Sequence, residues 1–204
     1  MAMTLTTYLT AAPRAALVLA HGAGAGQNSP FMVRCGRGMA LRGINAATFD
    51  FPYIAAGRKV PDRAPVLEQA WREALDEARV AFSGLPLVIG GKSMGGRMAS
   101  HIAAQGCDGV DGLVFLGYPL HPPGKLEQRR DAHLPAIAQP MLFVQGSRDA
   151  FGTSTEIAQL LPSLRHAELH EVAGGDHSFK VSGRKGDGLE AIMDAVAAWI
   201  LARR

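Results

Sequence analysis

Residues Leu87-Val88-Ile89-Gly90-Gly91-Lys92-Ser93-Met94-Gly95-Gly96-Arg97-Met98 decide how this chain is read. Leu87–Ile89 is a short apolar run that predicts a buried strand, and the segment through Met98 and Ile102 predicts a helix. Gly91-x-Ser93-x-Gly95 stands between them. A serine on so tight a strand-to-helix turn is pushed up and exposed above the sheet edge, and the flanking glycines keep strand and helix from colliding around it. The helix N-terminus behind Ser93 supplies N–H groups and positive potential for a developing oxyanion. A phosphate-binding loop needs a glycine five residues before Gly91, and the residue there is Pro86. A purely structural glycine-rich turn is the bland alternative.

Working outward, short apolar runs alternate with helical patterns. Ala15–Ala20, Ile44–Phe51, Leu113–Leu116, Met141–Val144 and Glu168–Val172 are strand candidates. Ser29-Pro30 reads as a helix start, with proline at the first helical position, and that helix is expected to run to about Leu41 and stop near Gly43. In residues 64–82, Leu67, Trp71, Ala74, Leu75, Ala78 and Phe82 form one apolar stripe at spacings of three and four. Leu189, Ile192, Met193, Val196 and Ile200 do the same in a closing helix. Strands separated by helices give βαβ units, and continuous rather than alternating apolar strands give a mostly parallel sheet covered on both faces. Residues 1–204 are therefore read as a single doubly wound α/β domain. The irregular segment Pro119–Pro140 is too short to be a separate cap domain.

Composition sets the outer bounds. The 204 residues are 48% hydrophobic and 19% charged, which excludes a disordered chain. No apolar run approaches the ~18 residues of a membrane span. The formal charge of +3 is spread in ones and twos, as in Arg58-Lys59 and Arg129-Arg130, so neither a nucleic acid nor a membrane partner is expected. Two cysteines, Cys35 and Cys107, make no disulfide framework, and the first residues lack a basic start and a long apolar segment. A cytoplasmic setting with free thiols follows as the expectation.

A serine is a weak nucleophile without a base that a third group orients. Asp149 follows the Met141–Val144 run, and His177 lies in Gly174-Gly175-Asp176-His177-Ser178-Phe179 after the Glu168–Val172 run. Both fall in loops at strand carboxyl ends, where such sheets build their sites. Asp176 as the acid, Asp149 as the cap of a helix over 154–161, and His166 or His170 as the base are the competing assignments. His101 and His133 are read as surface or packing residues. A second oxyanion donor belongs in the loop after the first strand. That loop is His21-Gly22-Ala23-Gly24, so the Ala23 amide is paired with the Met94 amide, to within one residue. Phe51, Tyr53, Tyr118 and His121 sit at strand ends and are the candidate cleft walls. Ser93 and Asp149 are both expected at the cleft rather than in the core.

Taken together, Ala20-His21-Gly22-Ala23-Gly24-Ala25, Phe49-Asp50-Phe51-Pro52-Tyr53, Gly91-Lys92-Ser93-Met94-Gly95-Gly96-Arg97, Gly117-Tyr118-Pro119-Leu120-His121-Pro122-Pro123-Gly124 and the Gly174–Phe179 stretch resemble the small lidless α/β-hydrolases related to dienelactone hydrolases. Among these they are most similar to bacterial relatives of the testis-expressed protein 30 and of the hydrolase-like subunit of the non-specific-lethal complex. The resemblance, over residues 14 to 200 or so, implies Ser93 as nucleophile, Asp149 as acid and His177 as base. Dienelactone hydrolases carry cysteine where this chain has Ser93, so their substrate class does not transfer. The expected activity is hydrolysis of a small carboxylic ester or thioester through an acyl-enzyme, with no metal or organic cofactor. A non-catalytic interaction module on the same fold is the alternative, and the oligomeric state is left open.

Overall fold

The computed structural model of the chain describes residues 4–183 and 188–203. Seven strands form one sheet: β1 (Thr6–Tyr8), β2 (Ala15–Ala20), β3 (Ile44–Phe49), β4 (Leu87–Lys92), β5 (Gly112–Leu116), β6 (Met141–Gly146) and β7 (Ala167–Val172). Their order is β1-β3-β2-β4-β5-β6-β7. Every pairing is parallel except β1 with β3. The helices are α1 (Pro30–Ala40), α2 (Pro52–Ala55), α3 (Ala64–Ala81), α4 (Met94–Ala104), α5 (Ser154–Leu160) and α6 (Leu189–Leu201).

The continuous apolar strands do what their composition requires. All residues of β2, β3, β5 and β6 are buried. Alternate side chains go to opposite faces. Ala16, Val18 and Ala20 join Trp71, Met98 and Ile157 beneath α3, α4 and α5. Leu17 and Leu19 join Met32, Met39, Ile192 and Val196 beneath α1 and α6. This is the α/β-hydrolase fold in its doubly wound form, without an evident cap domain.

Several boundaries differ from the sequence expectation. Ile44–Phe51 ends as a strand at Phe49, because Asp50 turns back and accepts from the Gln27 amide at 2.7 Å. Pro52 then starts the four-residue α2 instead of simply stopping the chain. β4 runs on to Lys92, since Gly90 and Gly91 continue the strand against β5 and β2. Ser29 holds the N-cap position of α1, yet its hydroxyl makes no cap bond; the fixed φ of Pro30 starts that helix. The helix at Ser154 is capped by Thr153 in a reciprocal box with Glu156, which leaves Asp149 out of that role. Cys35 and Cys107 are buried and form no disulfide. No described helix is long and apolar enough to cross a membrane.

The sheet order reverses direction between β2 and β4. After β2 the chain steps outward to β3, whereas after β4 it steps the other way to β5. A crevice opens at the carboxyl ends of the two strands flanking such a point. The loops leaving those ends carry Ala23 and Ser93.

Candidate active site

Ser93 links β4 to α4 with φ 50° and ψ −116°. A non-glycine residue held there stores on the order of 1–3 kcal/mol. Its amide donates to Leu116 O at 3.1 Å, and its carbonyl accepts from Arg97 N at 3.0 Å. Gly95 is required by contact, since a Cβ there would stand 2.3 Å from Ala20 O. The two strand ends are thereby drawn together beneath the serine.

His177 reaches this turn from the loop after β7. Its Nε2 lies 2.9 Å from Ser93 Oγ, and its Nδ1 lies 2.7 Å from Asp149 Oδ2. With Nδ1–H donating to the carboxylate, Nε2 is left to accept from the serine hydroxyl. Asp149 is 1% exposed, so it sits in the core beneath the cleft and not at its surface as expected. Its Oδ1 accepts from Phe151 N at 2.8 Å, and its Oδ2 also accepts from Gln145 Nε2 at 3.0 Å. Gln145 was not singled out in the sequence, although a polar residue closing the apolar run Met141–Val144 is a signal. Its amide also donates to Gly152 O at 2.6 Å and accepts from Tyr118 N at 2.8 Å, so it fixes three loops at once. The Asp149 and His177 loops are stitched together by Arg148 N to Gly175 O at 2.9 Å and Gly174 N to Ser147 Oγ at 2.7 Å. Asp176 organises the turn instead, its Oδ1 accepting from Ser178 N and Lys180 N. Neither His166 nor His170 meets Ser93.

The β2 loop packs beside the same serine. A Cβ on Gly22 would stand 3.5 Å from Ser93 Cβ. Its shape is set by His21, which is fully buried. Nδ1–H donates to Gly22 O at 2.8 Å, and Nε2 accepts from Phe51 N at 3.2 Å. Burial, opposed by the Gly22 carbonyl and the Asp50 charge, pushes the His21 pKa down, which keeps this tautomer neutral. Met94 is the first residue of α4, where a helix has no internal partner for its N–H. Ala23, Ser93, Met94 and His177 all line one cleft of about 800 Å³.

The sequence profile of the alpha/beta hydrolase domain matches residues 13–203. The chain belongs to the alpha/beta hydrolase family. Solved structures agree on the fold. A dienelactone hydrolase from Anabaena variabilis superposes with a TM-score of 0.78 at 18% identity, over 98% of this chain and 92% of that one. Est1E from Butyrivibrio proteoclasticus, solved with ferulic acid bound, gives 0.77 at 14%, over 98% and 96%. A monoacylglycerol lipase from Paleococcus ferrophilus gives 0.74 at 15%, over the whole of both chains.

In this family member the expected cleft walls are misplaced. Phe51, Tyr53, Tyr118 and His121 are all 2% exposed or less, and none of them lines the cleft. Phe51 and Tyr53 pack edge-on against His21, with ring centroids 5.0 and 5.9 Å away. Tyr118 donates its hydroxyl to Arg130 O at 2.7 Å, and His121 Nε2 meets Glu156 Oε1 at 3.1 Å. Large rings at apolar strand ends gain more from burial than from a half-wet wall. The apolar walls are instead Phe31, Leu67, Met94, Pro119 and Phe151. Phe151 lies 4.3 Å, centroid to centroid, from the His177 ring.

Lys92, between Gly91 and Ser93, enters the sequence reading only through the rejected phosphate-binding loop. Lys92 lines the cleft, while its Nζ is enclosed without a hydrogen-bond partner. Nζ lies 5.4 Å from the centre of the Phe179 ring. It stands 2.9 Å, and Asp149 Oδ2 3.5 Å, from the point a Gly117 Cβ would occupy. Phe179 is fully buried at φ 63°, a second strained residue behind the site. Burial lowers the Lys92 pKa to about 8, with the charges of Asp149 and then Asp176 opposing it. The unfolded ammonium titrates at 10.5. Below pH 8 both states are charged and the fold bears the whole cost, about 3 kcal/mol for such a shift. From pH 8 to 10.5 only the unfolded chain holds the proton, so stability rises with pH. Lys92→Met is expected to raise Tm at pH 7, with the gain fading between pH 8 and 10.5. Thermal melts of both proteins across that range check it; a pH-independent difference contradicts it.

Proposed function

We propose that this chain is a serine hydrolase that cleaves a small carboxylic ester or thioester through an acyl-enzyme. The observation that carries this reading is the continuous relay from Asp149 Oδ2 through His177 to Ser93 Oγ, 2.7 and 2.9 Å long, at the floor of the cleft. Ser93 Oγ attacks the acyl carbon while its proton passes to His177 Nε2. The oxyanion forms against the Ala23 and Met94 amides. His177 then gives the proton to the departing alcohol or thiol as that bond breaks. Water, deprotonated by the same nitrogen, attacks the acyl-Ser93 carbon, and the acid leaves as Oγ regains its proton. Asp149 holds the tautomer throughout and steadies the imidazolium. The chemistry as written uses no metal or organic cofactor.

An uncapped cleft of about 800 Å³ suits short acyl groups and compact alcohols. We read residues 1–204 as one cytoplasmic domain acting on a small molecule, and we place the chain beside the bacterial relatives of testis-expressed protein 30. A series of p-nitrophenyl esters of rising acyl length tests the activity. The expected result is a maximum in kcat/KM at short chains, with turnover falling as the acyl group outgrows the cleft. Folded protein that cleaves none of them overturns the reading in favour of an interaction module.

A further inference from the structure

The cleft is far more basic than the chain that forms it. Overall, 21 lysines and arginines face 18 acids. Among the described residues that line the cleft are Arg34, Lys92, Arg97, Arg130 and Lys180 against one acid, Asp62; of these the Lys92 Nζ is enclosed and Arg34 has an interaction of its own. Asp62 is already engaged by Arg58 at 2.7 Å.

Two of the lining guanidinium groups are those of Arg97 and Arg130. Neither Arg97 nor Arg130 has a carboxylate within salt-bridge distance among the described residues. Arg97 Nε is enclosed and makes no hydrogen bond. Arg97 and Arg130 are partly buried, and a guanidinium partly withdrawn from water gains from an anionic partner. Burial, and then the like charge of Arg130, pushes the Arg97 pKa down from its ordinary range. The backbones that carry both side chains are anchored. Arg97 sits one turn beyond the nucleophile, its amide bound to Ser93 O at 3.0 Å. Arg130 is held by its own backbone, with N donating to Leu120 O at 2.9 Å and O accepting from Tyr118 Oη at 2.7 Å. Two guanidinium groups that line the same cleft as Ser93 and lack a carboxylate partner are complementary to an oxyacid.

Resting on the hydrolase reading above, we infer that the substrate is an anionic ester whose carboxylate or phosphate, remote from the scissile bond, is received by Arg97 and Arg130. Such a group supplies the negative charge that the cleft lining lacks. It also fixes which end of the ester faces Ser93.

The test compares three p-nitrophenyl esters of matched length: one ending in a carboxylate, one in a phosphate and one in a neutral methyl ester. Wild-type protein is expected to favour one anionic ester over the neutral one by about 10- to 100-fold in kcat/KM, the range set by charge-assisted hydrogen bonds. The favoured anion identifies the group, and high salt should shrink the ratio. In Arg97→Met and in Arg130→Met the ratio should fall toward one; two variants guard against one failing to fold. Equal use of charged and neutral esters overturns the inference and leaves the hydrolase reading standing. Should no ester be cleaved, calorimetry with glutarate and with inorganic phosphate still decides. Binding that is lost in Arg97→Met supports the anion site, and absence of binding overturns it.

Discussion

Ser93→Ala is expected to reduce kcat/KM for a short p-nitrophenyl ester by roughly 10⁴- to 10⁶-fold while leaving the fold intact. Without Oγ no acyl-enzyme can form, so the two-step route disappears. What survives is direct attack by water, helped by the Ala23 and Met94 amides and by binding, roughly 10³–10⁴ over solution in comparable enzymes. Ser93 Oγ meets only the His177 ring among the hydrogen bonds of the described side chains, and it faces the cleft. Its removal should therefore shift stability by no more than about 0.5 kcal/mol. Steady-state kinetics and thermal melts on the same preparations measure both quantities. A variant retaining a tenth of wild-type activity would show that another group does the chemistry.

Asp149→Asn should cost about 10³- to 10⁴-fold in kcat, less than loss of the nucleophile. Oδ1 must remain an acceptor for Phe151 N, so the new amide nitrogen takes the place of Oδ2. It then donates to His177 Nδ1, which leaves the proton on Nε2, where the ring cannot take one from Ser93. The same nitrogen faces Gln145 Nε2, donor against donor, where a 3.0 Å hydrogen bond stood. Lys92 loses the largest opposing charge around it. Because Asp149 is buried, this variant should also lose about 1–3 kcal/mol of stability, the cost of donors left without acceptors. Kinetics and denaturant titration of Asp149→Asn together check this; full activity with the carboxylate gone would remove Asp149 from the relay.

Much of the architecture is legible because burial writes itself into composition. The apolar runs Ala15–Ala20 and Met141–Val144 can only be covered strands, and the stripe from Leu67 to Ala78 faces the core as its spacing requires. Ser93, Asp149 and His177 were reachable because each stands at a strand's carboxyl end in a turn rich in glycine. The cleft walls were not legible. Phe51, Tyr53 and Tyr118 have the chemistry of a wall, but apolar strand ends send them inward. Phe31 and Phe151 lie on a helix and a loop, with no local pattern to mark them as lining anything. β1 escaped notice for a related reason: Thr6–Tyr8 is three residues long and only partly buried, so no apolar run announces it. Gln145 and Lys92 show their roles only once the loops around Asp149 are brought together in space.

The most direct measurement is covalent labelling of folded wild-type protein with a fluorophosphonate, followed by peptide mapping. A relay that activates Ser93 predicts one adduct per chain, on Ser93, absent from Ser93→Ala and slowed in Asp149→Asn. No adduct, or an adduct on another residue that persists in Ser93→Ala, would contradict it.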